Sequence, residues 1–101
     1  MASQEIVVTL LYPATEKFDM NYYLTSHMAT VEKQFTPTGL TKWQVVKAAP
    51  DTGYSTVCHL WFKSKEAADE CFASAGNIMA DIPNYTDVKP VTIGGQVVGG
   101  N

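Results

Sequence analysis

Between positions 18 and 35 the chain reads FDMNYYLTSHMATVEKQF. At helical spacing Met20, Leu24, His27, Val31 and Phe35 share one stripe, with Tyr23 and Met28 beside it. Asn21, Thr25, Glu32 and Lys33 take the opposite, water-facing side. Asp19 stands where its carboxylate can accept the free N–H groups of a first helical turn. The pattern predicts a helix of about four turns with a histidine in the middle of its apolar stripe.

The flanking segments alternate with period two. Residues 5–12, EIVVTLLY, are β-branched and apolar on both faces, as in a central strand covered on two sides, and Pro13 ends them. Residues 36–39, TPTG, form a turn. In residues 40–49 Trp43, Val45 and Lys47 fall on one side and Lys42, Gln44 and Val46 on the other. After a PDTG turn, residues 54–63 place Tyr54, Thr56, Cys58, Leu60 and Phe62 on one face and Val57, His59 and Trp61 on the other. Ser64 can cap a second helix with a stripe of Ala67, Ala68, Cys71, Phe72 and Ala75, and Gly76 is its expected C-terminal stop. Residues 77–83 predict one further helical turn. Residues 86–98 read as a last strand held to an edge or bulge by Pro90, before a frayed GGN tail.

This order, βαββαβ, specifies an α+β, ferredoxin-like fold, a four-stranded antiparallel sheet with two helices on one face, as a single domain over residues 1–101. Trp61, Val57, Val45 and the outer residues of the first strand then make the uncovered face too apolar for water. A homodimer that packs sheet on sheet is the expected remedy. Composition agrees: 46% of residues are apolar and 17% charged, in a chain short enough to bury only about two-thirds of its unfolded surface.

Charge narrows the partners. Seven lysines face ten acids with no arginine, so bidentate phosphate recognition is absent and a polyanion is repelled; no nucleic-acid partner is expected. No apolar run approaches membrane-spanning length, and MASQEIVV lacks the basic start of a signal peptide, so no membrane partner and a cytoplasmic location are expected. Cys58 and Cys71, isolated from each other, suit reduced core positions.

His27 carries the candidate chemistry, and two readings stand. A buried imidazole can be satisfied by a carbonyl or a tyrosine, or it can face a cleft as a general acid or base, with Tyr23 one turn before it. A tyrosine among Tyr12, Tyr22, Tyr23 and Tyr85 can supply a phenolic O–H to an oxygen on which charge develops. Asp81 and Asn84 suit the capping of a local turn, and His59 falls on the interface face. The histidines and cysteines have no metal-ligand spacing, GGQVVGG opens no helix that could cradle phosphate, and no serine sits on a nucleophile elbow. Acid–base work without metal or cofactor, on an apolar small molecule, is what remains.

FDMNYYLTSHM, GLTKWQVVK, LWFKSKEAADECF and DIPNYTDVKPV, in that order, resemble the EthD family of dimeric α+β-barrel proteins. Asp19, Tyr22, Tyr23, His27, Met28, Asp81, Asn84, Tyr85, Thr86 and Pro90 match its pattern, although Ala29 follows His-Met where the family usually has proline. The resemblance implies a small-molecule cavity between the sheet and its helices. It also implies chemistry of the kind associated with that family: ether degradation, or cyclisation, dehydration or cofactor-free oxidation of polyketide-like compounds. Together these readings lead to His27 and Tyr23 as expected catalytic residues. Tyr12, Met28, Val31, Phe72 and Tyr85 are expected around an aromatic or polyketide-like substrate undergoing cyclisation, isomerisation, dehydration or oxidation. A non-catalytic binding or auxiliary protein is the alternative.

Overall fold

The β-branched run after Glu5 forms β1 (Ile6–Pro13), the second strand from one edge of a sheet ordered β2-β3-β1-β4. Here β2 is Leu40–Lys47, β3 is Tyr54–Phe62 and β4 is Val91–Gln96, and every neighbouring pair is antiparallel. The structure, a computed structural model, describes residues 4–101. One long helix, α1 (residues 20–35), runs from the Asp19 cap, whose carboxylate accepts the Tyr22 N–H at 3.0 Å. The second helix, α2 (Lys65–Ala73), begins at Ser64, whose hydroxyl accepts the Ala67 N–H, and α3 (Gly76–Ala80) follows. The α+β, ferredoxin-like expectation holds, with one core between sheet and helices.

Register decides which side chains enter that core. Ile6 pairs with Phe62, Val8 with Leu60 and Leu10 with Cys58, so these six share the helix-covered face. Trp43 lies opposite Leu60 and Val45 opposite Cys58. Val45 therefore packs under the helices and not on the open face where the sequence pattern put it. Alternation divides a strand into two sets but leaves open which set faces the core, and a register shift between Leu40 and Lys42 re-phases the strand start.

Other boundaries moved for identifiable reasons. Gly76 opens α3 with no left-handed conformation, while α2 closes at Ser74, whose N–H reaches the Cys71 and Phe72 carbonyls. The last strand begins only after Pro90, and Thr86 forms an isolated bridge with Phe18. That bridge ties the entry of α1 to the segment carrying Asp81 and Tyr85, as does the Asp19 N–H, which donates to the Tyr85 carbonyl at 2.8 Å.

Val7, Thr9, Leu11, Val57, His59 and Trp61 lie on the opposite, helix-free face, each partly exposed, and Ile93 is 57% exposed beside them. Lys42 lays its ammonium 4.8 Å from the Trp61 ring, a cation–π contact, and Thr9 shares a 2.9 Å hydrogen bond with His59.

The turn into β2 depends on Gly39, at φ 139°, where a Cβ would stand 2.6 Å from the Ala67 Cβ on α2. Gly39→Ala combines a disfavoured backbone with a steric clash. It should cost about 2–4 kcal/mol, read as a lowered urea midpoint at unchanged slope.

Candidate functional site

In the middle of α1 the hydrogen-bond ladder widens. From Tyr23 to His27 the turn is π-helical, and the Met28 N–H reaches back five residues to the Tyr23 carbonyl. One wide turn rotates the following residues relative to a regular helix. Tyr23, His27 and Met28 are buried as a result, and Leu24, expected on the same stripe, is 39% exposed. The imidazole stacks on the Tyr23 ring at 5.4 Å with planes 16° apart, and the Tyr85 ring lies 4.7 Å away.

Nδ1 of the buried His27 ring donates to Asp81 Oδ2 at 2.9 Å. The other carboxylate oxygen, Oδ1, accepts from the Tyr22 hydroxyl at 2.7 Å and from Asn84 Nδ2 at 2.8 Å. Asp81 thus does more than the turn-capping read from the sequence. Its carbonyl does accept the Asn84 N–H at the end of α3, but its side chain gathers three donors from two separate segments. Burial works to raise the Asp81 carboxyl. The hydrogen bonds from Asn84, Tyr22 and His27, with the His27 charge, outweigh that and hold it below the usual carboxylate range. An ionised carboxylate on Nδ1 fixes the ring orientation and its tautomer, leaving Nε2 for the cavity that the ring lines.

That cavity has a volume of about 30 Å³. His27, Tyr23, Tyr12, Met28, Val31 and Phe72 all line it, so six of the seven expected site residues are brought together. Tyr85, the seventh, sits behind the imidazole, its hydroxyl 2.7 Å from that of the buried Tyr12. Tyr23 contacts His27 through its ring face, while its hydroxyl turns toward Tyr12 and Cys58. Burial pushes the Tyr23 and Tyr85 phenols far up and raises Tyr12, so all three stay neutral and can donate hydrogen bonds. Burial also raises the Cys58 thiol to about 11, against a smaller opposing effect of Tyr23. His59 is on the far side of the sheet, beside Thr9.

Asp81 is the residue the sequence reading undervalued. The signal present was DIPNY itself, which carries Asp81, Asn84 and Tyr85 together. Among the described residues no group of three or more histidine, cysteine or acidic side chains is placed to hold a metal ion, and no helix is long and apolar enough to cross a membrane.

No protein-family model matches the chain, and no curated protein sequence does. Solved structures do. An EthD-like protein from Ralstonia eutropha JMP134 is 29% identical, with a TM-score of 0.85 over 98% of this chain and 96% of its own. An EthD family protein from Bacillus halodurans C-125 reaches 0.71 at 14% identity, over 93% and 99%. SnoaB, a cofactor-independent oxygenase from Streptomyces nogalater, reaches 0.66 at 12% identity, over 98% and 96%. The EthD resemblance read from the sequence is carried by the whole fold.

The depressed Asp81 carboxyl gives a signed pH dependence. Its native value lies below the unfolded one, so its contribution is complete above about pH 4 and is lost as acid protonates the native group. Urea midpoints from pH 5 down to pH 2 should therefore fall more steeply for the wild type than for Asp81→Asn.

Proposed function

We propose that this EthD-like chain is a small enzyme that moves a proton on an apolar, aromatic or polyketide-like molecule, with His27 as the acid–base group. One observation carries the reading: the imidazole is held at Nδ1 by an ionised carboxylate while the ring lines a cavity walled by neutral phenols. In this role Nε2 takes a proton from an activated C–H or O–H of the ligand. Asp81 stabilises the imidazolium that forms, and a buried tyrosine O–H donates to the oxygen that gains charge. Positioning of this kind supports enolisation, and from it isomerisation, cyclisation or dehydration. Oxidation would additionally consume dioxygen as the electron acceptor, after the same deprotonation. The reaction proposed runs on protons from the chain's own side chains and uses no cofactor.

A second reading, a binding protein that holds its ligand elsewhere and turns nothing over at His27, is favoured by one fact. A cavity of about 30 Å³ admits one or two waters and is far smaller than an aromatic ligand. Deuterium uptake from D2O into 2-tetralone, a bicyclic ketone with exchangeable C–H groups, separates the two. The enzyme should accelerate exchange by about 10²–10⁴, with His27→Gln and Asp81→Asn both slow. Equal rates for wild type and His27→Gln, with ligand bound in each, would leave the binding protein. His27→Ala should also cost about 2–4 kcal/mol, since it empties a packed position and orphans a carboxylate oxygen.

We also assign the helix-free face to a homodimer, since Val7, Leu11, Val57, Trp61 and Ile93 form one apolar patch there. The free, buried Cys58 and Cys71 suit the reducing cytoplasm. Light scattering behind size-exclusion chromatography should give twice the mass of 11.0 kDa. Trp61→Glu should shift it to monomer or aggregate.

A further inference from the structure

The helix-free face of the sheet is apolar toward both ends of its strands and polar across its middle. Strand register sets the face out in three rows. Lys42, Trp61, Val7 and Gly95 form one end row, and Val46, Val57, Leu11 and Val91 the other. Between them run Gln44, His59, Thr9 and Ile93. The two central members of that middle row are joined, His59 Nδ1 lying 2.9 Å from Thr9 Oγ1. This hydrogen bond uses Nδ1 and leaves Nε2 for a partner. Within these rows Lys42, its ammonium over the Trp61 ring, is the one charged side chain, and Trp61 lies 5.7 Å from the His59 ring. Glu5, just ahead of β1, falls by alternation at the margin of the face.

On a single chain this polar row meets water, since His59 and Thr9 are each half-buried. Against a second copy its placement matters. Sheets packed face to face stand about 10 Å apart, and the two-fold axis relating two copies runs between them, in the plane of the interface. Whatever its direction, an axis that crosses the centre of the face carries the Thr9–His59 pair onto the same pair of the second copy. An axis off the middle row would lay hydrogen-bonding groups on valine, leucine and tryptophan, and leave them desolvated without partners. We infer that the homodimer is centred on its two Thr9–His59 pairs and that acid takes it apart. A neutral imidazole donates at one ring nitrogen and accepts at the other, so the two rings can satisfy each other across the axis. Two protonated rings can only donate, and they bring like charges together in an apolar surround. Lys42 of each copy adds charge of the same sign, and the Glu5 carboxylate stands only at the margin. The inference rests on the homodimer reading, and adds to it the residues at the axis and the condition that opens it.

The test is a dilution series of the full chain, read by sedimentation equilibrium at about pH 8 and about pH 5.5, between which histidine side chains gain charge. The wild type should be dimeric at the higher pH, and its dimer Kd should rise by about tenfold or more at the lower. His59→Gln and His59→Leu, neither of which gains charge, should each dimerise alike at both. His27 is intact in these variants, so a pH dependence that survives in them would overturn the proposal. So would a wild-type Kd that is equal at the two pH values. A mixed dimer of wild type with His59→Gln holds one imidazole, and acid should weaken it by less than the square root of the wild-type factor, because the repulsion is gone. The full square root would mean that the two rings do not meet, and would move the axis away from them. A wild type that is monomeric at the higher pH would sink the homodimer reading together with this one. A dimer indifferent to acid would sink this inference alone.

Discussion

The hydrogen bond from His27 to Asp81 is the interaction on which the rest of the site depends. An imidazole in the middle of an apolar helix stripe costs free energy to desolvate. In this chain the partner that compensates comes from a segment 54 positions away. Bringing it there requires the bridge between Phe18 and Thr86, and the bond between the Asp19 N–H and the Tyr85 carbonyl. These two contacts clamp the start of α1 to the loop after α3. The carboxylate is itself held by Tyr22 and Asn84, so it reaches the ring as an oriented acceptor. Burial and candidate function are therefore one arrangement: the satisfied core histidine and the oriented base differ only in what meets Nε2.

The fold was legible because its signals were local and redundant. The apolar run of β1, the Asp19 and Ser64 caps and the turns at Gly39 and Gly53 each stand in a few consecutive residues. The site was legible in part for a related reason: Tyr23, His27, Met28 and Val31 are close on one helix, and spacing alone groups them. What was hidden required two segments at once. Asp81 looks like a turn residue until α1 is laid beside it, and only then does its side chain have somewhere to go. The π-helical turn was hidden for another reason. Its lone trace in the pattern is that Leu24 competes with Tyr23 for the buried side, and only packing decides between leucine and tyrosine. Val45 erred in the same way, since its face is set by the partner strand and not by its own.

Electrostatics inside the chamber divide the labour among its polar groups. Burial keeps Tyr12, Tyr23 and Tyr85 neutral, so they can donate hydrogen bonds but are poor proton acceptors near neutral pH. Asp81 is kept ionised by its three donors, so it can accept but has no proton to give. The imidazole, with two ring nitrogens that can donate or accept, sits between the two kinds. A set of donors fixed in place and one fixed acceptor around a single exchangeable ring is what proton transfer asks of a protein. The chain builds it from four tyrosines, one carboxylate and one histidine.

Volume is the remaining constraint, and it shapes how such a site must work. A chamber of about 30 Å³ keeps water scarce and hydrogen bonds strong, but it cannot also hold a substrate while closed. The imidazole held by its carboxylate answers the first demand, and the second can be met only where the lining is apolar and free of hydrogen bonds. Phe72, half-buried, lines the chamber and packs its ring 5.7 Å from those of Phe35 and Phe62. Ring contacts carry no hydrogen bond and can be exchanged for similar contacts with an aromatic ligand, whereas displacing Tyr12 or Tyr85 would break a buried hydrogen bond.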